Sequence, residues 1–83
     1  MKLKLFIEPQ CARCPAATGL VKQVEHKVKV EIFDMSTAEG LAEALFYSAK
    51  AAPSIVIVDN EDKILKSWKT DVPTINELNE VLK

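Results

Sequence analysis

The spacing of apolar residues along the chain switches between the period of a strand and the period of a helix. Lys2 to Ile7 is short, apolar and β-permissive, and it ends at a turn-forming Glu8-Pro9-Gln10. Beyond it, apolar residues recur every three or four positions with charged residues between them: Ala17, Leu20, Val21, Val24 and Val28. This stripe predicts an amphipathic helix over Ala12–His26, with Pro15 in its first turn.

A second strand and a second helix follow the first pair. Alternating residues from Val28 to Asp34 predict a strand. Its connection to the first strand runs through a helix, so we expect the two strands to be parallel. Ser36 and Glu39 have the spacing of a capping box, which predicts a helix running to about Lys50. The residues expected to face inward are Ala38, Leu41, Ala42, Leu45 and Ala49.

The last third of the chain predicts a hairpin and a closing helix. Ser54–Val58 is an almost uninterrupted β-branched run, typical of a central strand buried on both faces. A polar turn at Asp59–Asp62 leads into a second strand at Lys63–Trp68. From about Asp71, with Pro73 in a first turn, the apolar spacing predicts a helix. The element order is therefore βαβαββα, in one domain over residues 1–83.

Composition and charge exclude several classes of protein. With 48% hydrophobic and 28% charged residues, the chain has the balance of a small globular domain. Its net charge of −1 offers nothing to attract nucleic acid or an anionic membrane surface. The first apolar stretch is interrupted by Lys4 and is too short for a signal sequence or a membrane span. We therefore expect a cytoplasmic protein, where paired thiols are more often catalytic or metal-binding than structural.

The only two cysteines, Cys11 and Cys14, stand where the strand pattern gives way to the helical one. The start of a helix carries free N–H groups and a partial positive charge, which stabilise a thiolate. A separation of three residues places Cys14 about one turn along, within reach of a mixed disulfide at Cys11. This setting predicts a redox dithiol. Inert structural cysteines, or half of a four-ligand zinc or iron–sulfur site completed from outside the chain, are the alternatives.

Two charged residues near the dithiol are candidates for tuning it. Arg13 either lowers the pKa of the Cys11 thiol through its positive charge or is simply solvated on an exposed loop. Glu8 either tunes the dithiol and relays protons or is a solvated turn residue. His26 is twelve residues past Cys14, about 18 Å along the helix axis at 1.5 Å per residue. That is too far for His26 to join the dithiol site, so we expect it to be a surface residue. The aromatic residues expected in the core or on the hairpin face are Phe33, Phe46, Tyr47 and Trp68.

The element order, the Cys-x-x-Cys motif after the first strand and Pro53 just before the third strand resemble the thioredoxin/glutaredoxin superfamily over nearly the whole chain. The length is similar to that of compact, glutaredoxin-sized members. The resemblance implies a thioredoxin fold: a four-stranded mixed sheet of order 2-1-3-4 with helices on both faces. It also implies that Cys11 is the nucleophile and Cys14 the resolving thiol. A cis Pro53, with Ala52 beside it, would shape the substrate groove.

The chain departs from both branches of that superfamily. Thioredoxins typically have Trp before the dithiol and a buried acid on the preceding strand, whereas this chain has Gln10 and Leu5. Glutaredoxins typically hold glutathione with a lysine before the dithiol, Thr-Val-Pro at the cis proline and a Gly-Gly turn followed by an acid. This chain has Glu8, Ala51-Ala52-Pro53 and Lys69-Thr70-Asp71 at those places, so most glutathione contacts are missing and Asp71 alone remains to contact an amine.

The sequence therefore predicts a thioredoxin-like thiol–disulfide oxidoreductase that reduces protein disulfides through Cys11 and Cys14. We expect no cofactor besides that redox-active disulfide, and no metal. The expected partners are disulfide-bearing client proteins and a reductase that supplies electrons, with no nucleic acid or membrane, and the protein is expected to be a monomer. The alternatives are a glutathione-dependent glutaredoxin and a dithiol-based carrier of a metal or an iron–sulfur cluster.

Overall fold

The computed structural model describes all 83 residues and contains the seven elements in the predicted order. They are β1 (Lys2–Ile7), α1 (Cys14–Lys22), β2 (Lys29–Asp34), α2 (Ala38–Phe46), β3 (Ser54–Val58), β4 (Ile64–Lys69) and α3 (Ile75–Val81). The sheet order is β2-β1-β3-β4, with β1 parallel to β2 and antiparallel to β3, and β4 antiparallel to β3. The predicted mixed sheet of order 2-1-3-4 is confirmed. None of the helices is long and apolar enough to cross a membrane.

Two hydrophobic clusters lie on opposite faces of the sheet, so helices cover both faces as predicted. The cluster beneath α1 and α3 is built from Leu3, Leu5, Val21, Val24, Ile55, Ile57, Trp68 and Leu78. The cluster beneath α2 is built from Phe6, Met35, Ala44, Tyr47, Val56 and Val58. Alternate residues of β1 and β3 enter the two clusters because successive side chains of a strand point to opposite faces. These two strands are therefore the centre of the fold.

Helix α1 is shorter than the predicted Ala12–His26. It begins at Cys14, with Pro15 in its first turn as expected, and ends at Lys22. Beyond that point the chain tightens through i to i−3 bonds, such as the Gln23 N–H donating to the Leu20 carbonyl at 3.1 Å. The apolar stripe nevertheless faces the sheet: Ala17, Leu20, Val21, Val24 and Val28 are all buried.

The prediction of which side of α2 faces the sheet is wrong within the helix, because Ala38, Leu41, Ala42 and Leu45 are all exposed; Ala49, just beyond the helix, is buried as predicted. Leu41 and Leu45 are 44% and 58% exposed, and Phe46, expected in the core or on the hairpin face, is 67% exposed at the end of α2. Gly40 and Ala44 are the helix residues that are buried. A Cβ atom at Gly40 would overlap the backbone carbonyl of Asp34, so the helix lies directly against the end of β2. Only small residues fit on that side, and the large apolar residues are therefore turned outward.

Helix α2 also begins one residue later than the capping box predicts. The N-cap is Thr37, whose Oγ1 accepts the Gly40 N–H at 3.0 Å. Ser36 turns back instead, and both its hydroxyl and its N–H donate to the Asp34 carboxylate at 2.7 and 2.8 Å. These two bonds, that of the hydroxyl first, hold the pKa of Asp34 below its usual value.

Helix α2 ends at a residue with a left-handed backbone conformation, which the sequence does not predict. Ser48 has φ 60°, and its N–H donates to the Leu45 carbonyl at 3.1 Å. The N–H of Ala49 reaches back to the Ala44 carbonyl at 2.8 Å. This pair of bonds is a Schellman motif, which usually has glycine at the left-handed position. With Ser48 there, the helix ends at Phe46 rather than at the predicted Lys50.

Helix α3 begins at Ile75, later than predicted, so Pro73 precedes it. Thr74 is the N-cap and forms a capping box with Glu77, each side chain accepting the other residue's N–H at 3.1 Å. The Thr74 N–H, and then its hydroxyl, hold the pKa of the Glu77 carboxyl below its usual value.

Lys4 is the one charged residue that the sheet buries, with 5% of its surface exposed in the middle of β1. Its Nζ donates to the carboxylate of Glu43 on α2, lies 3.6 Å from that of Glu31 on β2, and sits 4.9 Å from the ring centroid of Tyr47. Burial disfavours the charged amine, but Glu43 and Tyr47 outweigh that cost and raise the pKa of Lys4 above its ordinary value. The charge is thus compensated within the fold.

We expect Glu43→Gln to lower the free energy of unfolding by about 1–3 kcal/mol, because it leaves a buried cation with a weaker partner. Lys4→Met should change it by less than about 1 kcal/mol, because the charge is removed together with its need for a partner. Because the pKa of Lys4 is raised, the stabilisation is complete below about pH 10.4, the ordinary lysine value, and is lost at higher pH. Urea titrations at neutral and alkaline pH measure both effects. A larger loss from Lys4→Met than from Glu43→Gln would contradict this account.

Candidate redox site

The two cysteines are brought together just beyond the end of β1. Cys11 and Cys14 are joined in a disulfide with their Cα atoms 5.4 Å apart, a normal separation for such a bond. Cys14 is the first residue of α1 and is 6% exposed, whereas Cys11 precedes the helix and is half-buried. Cys11 is therefore the more accessible residue of the pair and Cys14 the shielded one; their roles as nucleophile and resolving thiol stay predictions.

The N-terminus of α1 is left without a capping side chain. Its N-cap is Arg13, whose side chain forms no cap bond, and the first turn holds no acidic residue. The Cys14 N–H points back to the Cys11 carbonyl at 3.4 Å. Serine, threonine or aspartate at an N-cap would satisfy the free N–H groups and offset the positive end of the helix dipole. With arginine at the N-cap, the free N–H groups and the positive end of the helix dipole remain available to stabilise a thiolate at the dithiol.

Pro53 lies at the same edge of the sheet as the dithiol. The Ala52–Pro53 peptide bond is cis, as the family resemblance implies, and Pro53 is fully buried. It directly precedes β3, whose first residue Ser54 pairs with Phe6 near the end of β1. The chain leaving β1 leads straight into the cysteines, so the cis proline and the dithiol lie at one end of the two central strands. The groove role of Pro53 and Ala52 stays a prediction.

The side chain of Arg13 is exposed to solvent but is also held by a hydrogen bond. Its Nη1 donates to the backbone carbonyl of Thr70 at 2.9 Å. Thr70 has φ 69°, and its own N–H donates to the Pro53 carbonyl at 2.9 Å. Thr70 is a site residue that the sequence analysis did not identify, since threonine carries no signal for a left-handed conformation. Three segments distant in sequence are thus linked around the dithiol.

Other candidates from the sequence lie outside this network. Glu8 is exposed and forms no ion pair or side-chain hydrogen bond, so its tuning or relay role stays a prediction. His26 is exposed beyond the end of α1, consistent with a surface residue. Asp71 is exposed at the start of the segment between β4 and α3.

A cleft of about 540 Å³ lies beside the dithiol turn, between the first turn of α1 and α3. The cleft is lined by Arg13, Ala16, Trp68, Asp71, Val72, Pro73 and Glu77. Neither cysteine nor Pro53 lines this cleft, so it borders the dithiol only through Arg13. No group of three or more potential metal-ligating side chains forms anywhere in the chain.

Comparison with known proteins places this architecture among thioredoxins. The chain is 34% identical over 83 residues to a probable thioredoxin of Archaeoglobus fulgidus, covering 98% of this chain and 85% of that one. It is 36% identical over 59 residues to the thioredoxin of Methanocaldococcus jannaschii, 69% of each chain. Thioredoxin 1 of Thermosipho africanus has the same fold at 18% identity, with a TM-score of 0.81 over 99% of this chain and 90% of that one. No protein-family model matches the chain.

Proposed function

The chain belongs to the thioredoxin family, and on that premise we propose that this thioredoxin-like redox protein reduces the disulfides of client proteins. The observation that carries the proposal is the pairing of Cys11 and Cys14 at the uncapped start of α1, at the same end of the sheet as cis Pro53. A helix terminus free of competing carboxylates favours a thiolate.

The reaction transfers two electrons from the dithiol to the client. The Cys11 thiolate attacks one sulfur of the client disulfide, so the Cys11–client bond forms while the client S–S bond breaks. The departing client sulfur leaves as a thiolate and takes a proton from solvent. Cys14, after losing its proton, then attacks the Cys11 sulfur and releases the second client thiolate. The chain ends with the Cys11–Cys14 disulfide, which is the state of the structure described above.

We assign Ala52 and Pro53 to holding the client backbone. Ala52 is half-buried, and neither its N–H nor its carbonyl bonds to another backbone group of the chain. It immediately precedes Pro53 and the start of β3, at the edge of the sheet near the dithiol. Free backbone groups in that place can pair with an extended client segment as a strand would. The client disulfide would then be held next to Cys11.

A complete cycle needs a donor that returns two electrons to the Cys11–Cys14 disulfide. We propose a reductase protein for this role, acting on a monomer of this chain in the cytoplasm, where thiol systems keep such pairs reduced. The test is the reduction of insulin disulfides by the pure protein, with dithiothreitol first and then with candidate reductases. Insulin precipitation no faster than with dithiothreitol alone would overturn the proposal.

Glutathione should be a poor donor for this protein. Glu8 and Ala51 stand where glutaredoxins have glutathione-binding residues, and Glu8 places a negative charge where the carboxylates of glutathione would approach. We expect turnover with glutathione and glutathione reductase to be at least about tenfold slower than with a thioredoxin-reductase-type flavoenzyme, corresponding to about 1.4 kcal/mol in the barrier. Steady-state NADPH oxidation measures both rates. Equal rates would favour the glutaredoxin alternative.

A further inference from the structure

Two hydrogen bonds link the turn that holds Cys11 and Cys14 to Pro53, the residue before β3, through Arg13 and Thr70. The guanidinium of Arg13 bonds to the Thr70 carbonyl, and the Thr70 N–H bonds to the Pro53 carbonyl, both at 2.9 Å. The first bond joins residues 57 positions apart in the sequence. Arg13 stands between the two cysteines, so the link starts inside the dithiol motif itself.

The segment from Thr70 to Pro73 forms few hydrogen bonds, although Val72 packs against the cluster beneath α1 and α3 and Pro73 is buried. It follows the end of β4 and precedes α3, and its only backbone hydrogen bond to the rest of the protein is that of the Thr70 N–H. Thr70 also holds φ 69°, a conformation that residues with a side chain seldom adopt unless neighbouring bonds maintain it. The bond from Arg13 is therefore one of the two hydrogen bonds that hold the Thr70 end of this segment.

We propose that Arg13 is a positioning residue that fixes the Thr70–Pro73 segment against the Cys11–Cys14 turn. It thereby sets the distance between this segment and the dithiol, where a polypeptide client would lie. A client that lies across the dithiol and Pro53 would meet this segment on its far side, because Thr70 is bonded to Pro53. A small disulfide that reaches only the Cys11 sulfur would not meet it. The proposal rests on the proposed function, since it assumes polypeptide clients, and it adds the residue that sets their fit.

The alternative is that Arg13 acts by its charge on the Cys11 thiolate. The two roles separate because the bond to the Thr70 carbonyl needs a donor as far from the backbone as Nη1 of Arg13, whereas a charge effect needs any cation nearby. Arg13→Lys keeps the charge on a shorter side chain and loses that reach. Arg13→Met loses both. Lys22→Met is the matched control, since Lys22 is exposed at the end of α1 and its replacement removes one positive charge without touching the link.

Insulin reduction at several insulin concentrations, with dithiothreitol as donor, separates KM from kcat. Arg13→Met and Arg13→Lys should both raise the KM for insulin by about three- to tenfold, the loss expected for one ordinary, solvent-exposed hydrogen bond. The pH midpoint of the reaction with the small disulfide DTNB should stay unchanged in both. Lys22→Met should match the wild type in both measurements. If Arg13→Met shifts the DTNB midpoint upward and Arg13→Lys restores it, Arg13 acts by charge and the proposal is overturned.

Hydrogen exchange of single amides tests the link without any client. In Arg13→Met the Thr70 amide should exchange about threefold faster or more, while the Val56 amide in the central strand β3 keeps its rate and reports that the fold is intact. Unchanged exchange at Thr70 would overturn the positioning role. If the wild type reduces no protein disulfide, the proposed function fails, and the Thr70 exchange rate still decides whether Arg13 holds this segment.

Discussion

Replacing Cys14 by serine is expected to leave a protein that attacks a disulfide and then stalls as a mixed disulfide with its client. Cys11 is half-buried and precedes α1, so its sulfur remains available to the client. The resolving thiolate that would release the client is gone. Replacing Cys11 by serine should abolish attack, because Cys14 is 6% exposed and lies within the first turn of the helix. The loss of insulin turnover should be complete in both variants.

Alkylation of each single-cysteine variant by iodoacetamide across pH separates the two roles. Cys11, left in Cys14→Ser, should react faster than Cys14, left in Cys11→Ser, at pH values below the ordinary thiol range of about 8.5. Mass spectrometry of the Cys14→Ser protein mixed with a disulfide client should show the trapped adduct. Faster alkylation of Cys14 below neutral pH, or an adduct on the Cys11→Ser protein alone, would reverse the assignment.

The sheet and the place of the dithiol were predictable because their signals are local. The β-branched run of Ser54–Val58 and the apolar Lys2–Ile7 both became central strands with the predicted bounds. The Cys11–Cys14 spacing at the change from strand to helix periodicity located the site. The strands and the dithiol each depend on a few consecutive residues, so a single sequence carries them, whereas the cis bond before Pro53 was expected from the family resemblance.

The parts that were missed depend on contacts between distant segments. Thr70 joins the site only because Arg13 and Pro53 bond to its two backbone groups, and neither bond has a sequence signature. In the sequence, Lys4 interrupts an apolar strand. It can be buried only because the carboxylate of Glu43 on α2 accepts a hydrogen bond from its Nζ. The left-handed Ser48 that ends α2 stands where glycine is the usual signal. Tertiary context decided all three cases.

Helix α2 shows how periodicity can identify an element and still misplace its buried face. The large apolar residues Leu41 and Leu45 form a stripe at helical spacing, and such a stripe normally faces the core. Here the backbone at Gly40 approaches the Asp34 carbonyl so closely that the facing side must be small. The burial free energy of two leucines is a few kcal/mol at most, less than the cost of moving a whole helix away from the sheet. Close approach therefore sets the rotation of the helix.

Two neighbouring glutamate substitutions on α2 should consequently have opposite outcomes. Leu45→Glu should change the free energy of unfolding by less than about 0.5 kcal/mol, because Leu45 is 58% exposed and a carboxylate there stays in water. Ala44→Glu should cost at least about 3 kcal/mol, since it forces an unpaired charge against Phe6 and Val56 in the cluster beneath the helix. The milder Ala44→Val should cost about 1–3 kcal/mol by overpacking and keeps the comparison measurable if the glutamate variant does not fold. Urea denaturation of the three variants gives these values. Destabilisation by Leu45→Glu beyond that of Ala44→Val would mean that the leucine stripe faces the core after all.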